Sequence, residues 1–315
     1  MAAIFSLVFF KIIAILLNVV VGFLAGKIMK VERDSIASLL FYFVSPIVFF
    51  TIPASSNLSV SALGITAVVF VICSLLCMFS YYFFGLYWQD QTRNMLALSA
   101  GNANCGYFML PIAAGLFDDY TLSIYMMAIV GVSIYESSVG FYISSRGISS
   151  TRESFMKVLK LPTLNAFVLG CILSFTGLTL PDFLDDFTHN MRGTYSVLGM
   201  VMVGLGLSTI PRFEIDVKFT LAAFASKFLF FPIAINLFIL LDKFVLGWYG
   251  EHHHNALQLL FTAPMAANTI VIASLTKFHP EKVATTVLLS CLFALFYIPV
   301  MVAIFIGDTG IEGIM

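Results

Sequence analysis

Two stretches of the sequence place amide side chains and helix breakers inside apolar segments. They read GNANCGYFMLP at residues 101–111 and LFTAPMAANTIVIA at residues 260–273. Proline removes a backbone donor, and Asn and Gly lower helix propensity, so a helix should break at each stretch. A break inside a membrane leaves peptide groups that only protein, water or a bound solute can satisfy. The residues expected to contact a solute are the amides, the prolines and one hydroxyl: Asn102, Asn104, Pro111, Pro264, Asn268 and Thr269.

The alternative is that both stretches are kinks without a ligand, since Pro and Gly are frequent in membrane helices generally. Two breaks at matching positions of a chain instead favour a solute site. The N-termini of the resulting half-helices carry partial positive charge, which favours an anionic solute.

Two ionisable residues lie deep in predicted spans. Lys227 lies about 15 Å from the start of its span, at 1.5 Å per residue, and a cation there costs about 2.5–3.5 kcal/mol on insertion scales. It could hold a substrate carboxylate or form an ion pair with Glu136. Glu136 is the one carboxylate well inside a predicted span, and it is either that partner or a proton carrier.

Other candidates are weaker. Pro46, Gly204 and Gly206 interrupt predicted spans two and seven, where close helix packing is the first interpretation and pocket lining the second. His252–His254 lie in a predicted outer loop without matched cysteines or carboxylates, so no metal site is expected. The sequence has no HExxH or GxSxG motif and no spaced pair of intramembrane carboxylates. We therefore expect neither enzymatic activity nor a cofactor.

The composition predicts an all-α polytopic membrane protein. The 315 residues are 60% hydrophobic and 10% charged, with a mean hydropathy of +0.99, whereas soluble domains carry about 25% charged residues. A net charge of −1 gives no basic surface for nucleic acid.

The apolar runs predict ten transmembrane helices, at about 4–27, 35–56, 60–86, 92–116, 121–144, 158–178, 190–210, 217–241, 254–275 and 283–306. Twelve of the sixteen Lys and Arg residues fall in the odd-numbered loops. The positive-inside rule therefore places these loops in the cytoplasm and both termini on the outer side of the cell membrane.

Ten spans divide into two sets of five with opposite orientation, which is the arrangement of inverted-repeat transporters. The predicted first repeat is 1–144, a short cytoplasmic linker is 145–157, and the second repeat is 158–315. The two interrupted stretches lie in the fourth helix of each repeat. We expect these broken helices, the fourth and ninth overall, to cross at mid-membrane.

With these stretches, four further motifs make the chain resemble the auxin efflux carriers and their bacterial relatives, within the bile-acid/arsenite/riboflavin transporter grouping. The motifs are YFVSPIVFF, LPTLNAFVLGCILSFTGLTLP, SVLGMVMVGLGLSTIPRF and KFHPEKVATTVLLSCLFALFYIPV. The resemblance implies a scaffold made of the first, second and fifth helices of each repeat, and a transport domain that holds the third and fourth.

The resemblance also implies roles for single residues. The family's substrate-facing asparagine falls on Asn104, its crossing proline on Pro111, and the first proline of its ninth helix on Pro264. The second proline of the plant members is replaced here by Thr269, next to Asn268. This departure suggests a different ligand.

These features favour a secondary transporter of a small organic anion, a mono- or dicarboxylate, that works by alternating access as uniporter or proton symporter. A sodium-coupled carrier like the bile-acid symporters is the alternative, although we expect no acidic partner beside the breaks. A membrane solute sensor or a channel is a third hypothesis. The expected partners are the anion, the lipid bilayer and, through Gly- and Ala-rich faces, a second copy in a homodimer.

Overall fold

The computed structural model describes residues 2–55, 60–144, 162–178, 180–209, 215–276 and 278–306. Regular structure in these ranges is helical, and no strand is present in them. The predicted linker at 145–157 lies outside the described residues.

The described residues of the first half form eight α-helices: α1 (Ala2–Met29), α2 (Arg33–Leu39), α3 (Ser45–Ala54), α4 (Val60–Phe84), α5 (Gln91–Gly101), α6 (Leu110–Ala113), α7 (Asp119–Tyr135) and α8 (Phe141–Ser144). Two π-helical turns join neighbours into longer helices. Leu40–Val44 connects α2 to α3, and Glu136–Gly140 connects α7 to α8. Such turns shift the side chains that follow them and are frequent at functional sites.

Seven α-helices are formed by the part of the second half that the structure describes: α9 (Pro162–Phe175), α10 (Asp185–Ser208), α11 (Val217–Ala225), α12 (Phe231–Leu241), α13 (Glu251–Phe261), α14 (Asn268–Leu275) and α15 (Pro280–Phe305). A 3₁₀ turn at Asp182–Leu184 precedes α10. The π-helical turn Ser226–Phe230 joins α11 to α12, and a second one at Asp242–Leu246 ends at Gly247 in the left-handed conformation, φ 63°.

Three of the helices have an aspartate as their N-cap residue. The carboxylates of Asp90, Asp118 and Asp216 accept hydrogen bonds from the backbone N–H groups of Thr92, Thr121 and Phe219, at 2.9–3.1 Å. Each caps one of the donors that the first turn of a helix leaves free.

Six of the ten predicted spans are helices long and apolar enough to cross a membrane: Phe5–Met29, Asp34–Ala54, Leu63–Phe84, Asp119–Ser144, Val217–Leu246 and Pro280–Phe305. Of the other four predicted spans, two are interrupted, α10 begins with a polar stretch, and the described part of the sixth, α9, has 14 residues. The count of ten and the inverted repeats stay predictions.

The surface of these helices suits a lipid environment. Large apolar side chains are exposed on several of them, including Phe10 (67%), Leu75 (62%), Leu221 (64%) and Phe296 (59%). Exposed apolar area on this scale is unusual for a soluble monomer. These faces are therefore the ones expected to contact the bilayer.

The helices pack in two groups. In the α1 bundle, α1 lies along α10 and α3 lies along α9. The contact between α1 and α10 is close because glycines of each helix lie against the backbone of the other. A Cβ atom at Gly204 would lie 2.0 Å from the carbonyl oxygen of Val19, and a Cβ atom at Gly22 would lie 2.1 Å from the carbonyl oxygen of Val201. Only glycine allows this approach, which supports the packing interpretation of Gly204.

The second group is the α7 bundle, in which α7 packs against α4 and α13, and α4 against α5. The resemblance implies that the fifth helix joins the first and second in a scaffold. In the structure α7 lies mainly against α4 and α13 and has less contact with α3, and the division into scaffold and transport domains stays a prediction. Gly131 explains the position of α7, since a Cβ there would lie 2.6 Å from the carbonyl oxygen of Thr66 on α4.

Candidate functional site

Both predicted interruptions are present in the structure. α5 ends at Gly101, and α6 begins only at Leu110. α13 ends at Phe261, and α14 begins at Asn268. The chain between each pair of half-helices is non-helical, as the prolines and amides predict.

The two breaks contact each other. Ala103 and Met265 form an isolated antiparallel bridge, and the N–H of Asn104 donates to the carbonyl oxygen of Pro264 at 2.8 Å. The N–H of Met265 donates to the Ser290 hydroxyl of α15 at 3.1 Å. Peptide groups freed by one break are therefore satisfied partly by the other, as a buried site requires.

Both asparagines of the first break are buried and only partly satisfied. The Asn102 amide donates to the Thr269 hydroxyl at 3.2 Å, and the Asn104 carbonyl oxygen accepts from the N–H of Phe108 at 3.3 Å. Asn102 Oδ1 and Asn104 Nδ2 have no hydrogen-bond partner among the described residues. A buried polar atom without a partner costs free energy unless a ligand or water binds it.

A central cavity of about 370 Å³ lies where the breaks meet. Its wall on the α7 bundle includes Asn104, Glu136 and Asn268, together with Ser133. Its wall on the α1 bundle includes Ser45 and Phe49 of α3, Tyr195 and Met202 of α10, and Thr163 of α9. The cavity therefore lies at the boundary between the two bundles, and its volume suits a small organic molecule.

Glu136 lies beside the second break. The Asn268 side chain is a polar neighbour of its carboxylate, and both residues line the cavity. The expectation that no acidic group lies beside the breaks is therefore wrong. The sequence has no acidic residue within either interrupted stretch, but the packing of α7 along α13 brings Glu136, the first residue of the π-helical turn, beside them.

Lys227 is fully buried in the π-helical turn between α11 and α12. Its ammonium lies 3.9 Å from the centroid of the Phe231 ring, near the thiols of Cys73 and Cys105, and has no hydrogen-bond partner among the described residues. The possible ion pair with Glu136 is not formed. Lys227 is not among the residues lining the central cavity, and its contact with a substrate carboxylate stays a prediction.

The remaining predicted residues have separate positions. Pro111 lies in the first turn of α6, where a proline needs no donor, and Pro264 is buried in the second break. Gly206 lines a small pocket of about 10 Å³ with Asn268 and Tyr107. Pro46 begins α3 but does not line the central cavity.

Sequence reasoning missed the aromatic side chains that surround the first break. Tyr195 lies 5.1 Å from Tyr107 and 6.1 Å from Phe49, measured between ring centroids. The Tyr107 ring lies against Gly199, where a Cβ atom would be 2.2 Å from it. The tyrosine and glycine four residues apart in α10, at positions 195 and 199, are a signal that could have indicated this contact.

The histidine run lies in the first turn of α13. His254 Nε2 lies 2.9 Å from the buried carboxylate of Asp242, which also accepts from the N–H of Trp248. A hydrogen bond joins the hydroxyl of Thr121, on α7, to Nδ1 of His252, on α13. In the part of the chain that the structure describes, no three His, Cys, Asp or Glu side chains form a group that could hold a metal ion.

Comparison with protein-family models gives one match, described as membrane transport protein, over residues 7–302. The chain belongs to this family, which is that of the auxin efflux carriers. Comparison with curated proteins gives no match. Together with the apolar helices, membership makes the protein a multi-pass membrane transporter.

Within this transporter, the matched region contains both breaks and the whole central cavity. The family resemblance inferred from the motifs is therefore confirmed. The site residues themselves are assigned by the geometry above and stay proposals.

Proposed function

We propose that this transporter carries a small organic anion, a mono- or dicarboxylate, by alternating access. The single observation that carries the proposal is the unpartnered Nδ2 atom of buried Asn104 at the central cavity, where the two breaks meet. An N–H donor without a partner suits an acceptor such as a carboxylate oxygen.

The second break supports the same ligand. Asn268 is the first residue of α14, so the N-terminus of that helix is at the cavity. The free N–H groups and the helix dipole favour negative charge there. Asn104 and Asn268 thus contribute donors from opposite halves of the chain to one ligand.

Among the described residues that line the central cavity, Glu136 is the one with a formally charged side chain. A carboxylate substrate would be repelled by an ionised Glu136 a few ångströms away. Protonation of Glu136 removes this repulsion, so anion and proton would enter the cavity together. Glu136 is therefore the proposed proton carrier of a symporter.

Movement of the α7 bundle against the α1 bundle is the proposed mechanism. The cavity lies between them, so a shift of one bundle changes the end from which the cavity is open. This is the elevator form of alternating access, in which the site travels with the moving domain.

Sodium coupling is the second candidate, and Glu136 is the observation that favours it. Several side chains at the cavity have oxygen atoms that can bind a cation. They include those of Glu136, Asn268, Ser133 and Ser137. Hard cations prefer such oxygen ligands. Uptake that is unchanged when choline replaces sodium would exclude this candidate.

The test of function is uptake by proteoliposomes of a panel of labelled mono- and dicarboxylates, after a thermal-shift screen of the purified protein over the same anions. A ligand that binds the folded protein raises its apparent stability. Saturable, protein-dependent uptake of at least one stabilising carboxylate is expected. High flux without saturation would indicate a channel instead, and stabilisation without uptake would indicate a sensor.

A further inference from the structure

A second cavity of about 260 Å³ lies at the same boundary between the two bundles. It is lined by Ile52 and Ser55 of α3, Asp119 and Ser123 of α7, and Asp185 and Arg192 of α10. These are the three helices that also line the central cavity. The second cavity is therefore aligned with the central one along α3, α7 and α10.

Little separates the two cavities. Along α10, Arg192 of the second cavity is about 4.5 Å in helical rise from Tyr195 of the central cavity. Along α7, the corresponding residues Ser123 and Ile129 are about 9 Å apart. The gap has the thickness of one or two side chains.

Aromatic rings fill this gap. Phe49 and Tyr195 are each 5% exposed and meet edge to face with their centroids 6.1 Å apart. Tyr107, from the first break, packs against Tyr195. Phe49 and Tyr195 belong to the α1 bundle, whereas Tyr107 belongs to the first break, so relative movement of the bundles would draw Tyr107 away from Tyr195.

The second cavity has an exposed mouth and a buried floor. Asp119 and Asp185 are exposed, whereas Ser123 and Thr188 are only 2% and 7% exposed. The mouth lies at the start of α7 and α10 and the end of α3, which is the predicted outer side of the membrane.

Of the described residues that line this cavity, Arg192 is the one Lys or Arg. Asp119 and Asp185 are its electrostatic neighbours, and its Nε atom has no hydrogen-bond partner among the described residues. A guanidinium binds a carboxylate through two parallel N–H donors. An entering carboxylate can therefore compete with the two exposed aspartates for interaction with the Arg192 guanidinium.

We propose that the second cavity is an outer carboxylate subsite of the transport path, held by Arg192, and that the rings of Phe49 and Tyr195, closed by Tyr107 from the first break, separate it from the central cavity. The proposal rests on the proposed transport of organic anions. The carboxylate waits at Arg192 and passes to Asn104 when the rings part.

The first test measures thiol labelling from the outer side, with whole cells expressing the transporter. The five native cysteines are buried, so the unmodified protein is the blank. Thr188→Cys places a thiol on the cavity floor, and Phe183→Cys places one on the exposed turn before α10. The probes are membrane-impermeant methanethiosulfonates, one bearing a sulfonate and one a trimethylammonium group.

With Arg192 present, we expect the sulfonate probe to modify Thr188→Cys about tenfold faster than when Arg192→Gln is added, because a guanidinium concentrates anions in a cleft. Arg192→Lys should retain most of the rate, and Phe183→Cys should not respond to either change. Equal sulfonate rates with and without Arg192, or a loss of rate shared by the trimethylammonium probe, would overturn the subsite.

The second test concerns the barrier. Ser133→Cys, in the central cavity, should be labelled from outside about tenfold faster when Tyr195→Ala opens the gap, with Tyr195→Phe as the control that keeps the ring. Cys105 also lines this cavity, so Tyr195→Ala without Ser133→Cys is the blank for this test. Phe49→Ala opens the same gap from α3 and replaces Tyr195→Ala if that variant does not fold. No increase with either variant would overturn the barrier.

Both labelling results are independent of transport by the unmodified protein. If labelling behaves as expected but no carboxylate is taken up, the proposed function fails and the two cavities remain. If carboxylates are taken up but labelling ignores Arg192, only the subsite fails.

Discussion

The backbone N–H of Asn104 donates a 2.8 Å hydrogen bond to the carbonyl oxygen of Pro264. The two residues lie in opposite halves of the chain, each within an interrupted helix. This bond fixes the two breaks against each other, and the antiparallel bridge between Ala103 and Met265 extends the contact. The unpartnered amide of Asn104 is thereby held at the central cavity by backbone rather than by side chains alone.

Asn104→Ala should weaken substrate binding and uptake by about ten- to a hundredfold, since a hydrogen bond to a charged group contributes about 1.5–3 kcal/mol. Asn268→Ala should act in the same direction. The measurement is the dissociation constant from thermal shift together with proteoliposome uptake. Asn18→Ala is the matched control, because Asn18 of α1 bonds only within its own helix and does not line the cavity. Unchanged uptake by both cavity variants would reject the site.

Glu136→Gln should abolish the pH dependence of uptake while leaving binding of the anion intact. The amide resembles the protonated carboxyl in shape and carries no charge, so the cavity no longer exchanges a proton. Uptake is measured at several external pH values, with Glu251→Gln on the exposed start of α13 as control. A pH profile identical to that of the unmodified transporter would show that Glu136 does not carry the proton.

Gly204→Ala should destabilise the folded transporter, whereas Gly193→Ala in the same helix should not. The new Cβ at Gly204 would meet the Val19 carbonyl oxygen at 2.0 Å, but nothing lies within 4 Å of one at Gly193. Overpacking costs about 1–3 kcal/mol, and alanine replaces an exposed helical glycine with a gain of about 0.5–1 kcal/mol. The midpoints of thermal unfolding in detergent distinguish the two, and equal midpoints would contradict the close packing of α1 and α10.

Asp216→Ala should lower thermal stability at neutral pH and have less effect in acid. The backbone N–H of Phe219 and the Lys282 ammonium bind the carboxylate, so they hold the pKa of Asp216 below its ordinary value of 3.8. Folding thus favours the ionised form, and this contribution is complete above the ordinary pKa and lost as the pH falls through the lowered one.

The expected loss at neutral pH is about 1 kcal/mol, as for other helix caps. The difference in unfolding midpoint between Asp216→Ala and the unmodified protein should shrink as the pH is lowered below about 4. Asp216→Asn, which keeps the cap acceptor without the charge, should lie between them. A difference that is the same at all pH values would show that the ionised carboxylate is not the stabilising form.

The breaks could be predicted from the sequence because their cause is local. Pro111 and Pro264 each lack a backbone donor, and the glycines and asparagines around them favour non-helical backbone. The six most apolar helices could also be predicted from the sequence, since hydropathy is a property of each segment alone. Residues whose effect is confined to their own turn are the ones that sequence reasoning placed well.

The neighbours of each helix could not be predicted in this way. The position of Glu136 beside Asn268 depends on how α7 packs against α13. It also depends on a π-helical turn, which no single residue in the sequence predicts. The Tyr195 ring lies between Phe49 and Tyr107 because α3, α10 and the first break meet there. Lys227 is fully buried, but its ring partner Phe231 lies one turn away in its own helix.

The hydrogen bond between Asn104 and Pro264 also constrains how the protein can be made. When the first half leaves the ribosome and enters the bilayer, the acceptor for the Asn104 N–H has not yet been synthesised. The nascent first break must therefore stay hydrated or be shielded by the insertion machinery, because lipid cannot satisfy its peptide groups. The cavity can form only late in biogenesis, and a truncated first half would lack it.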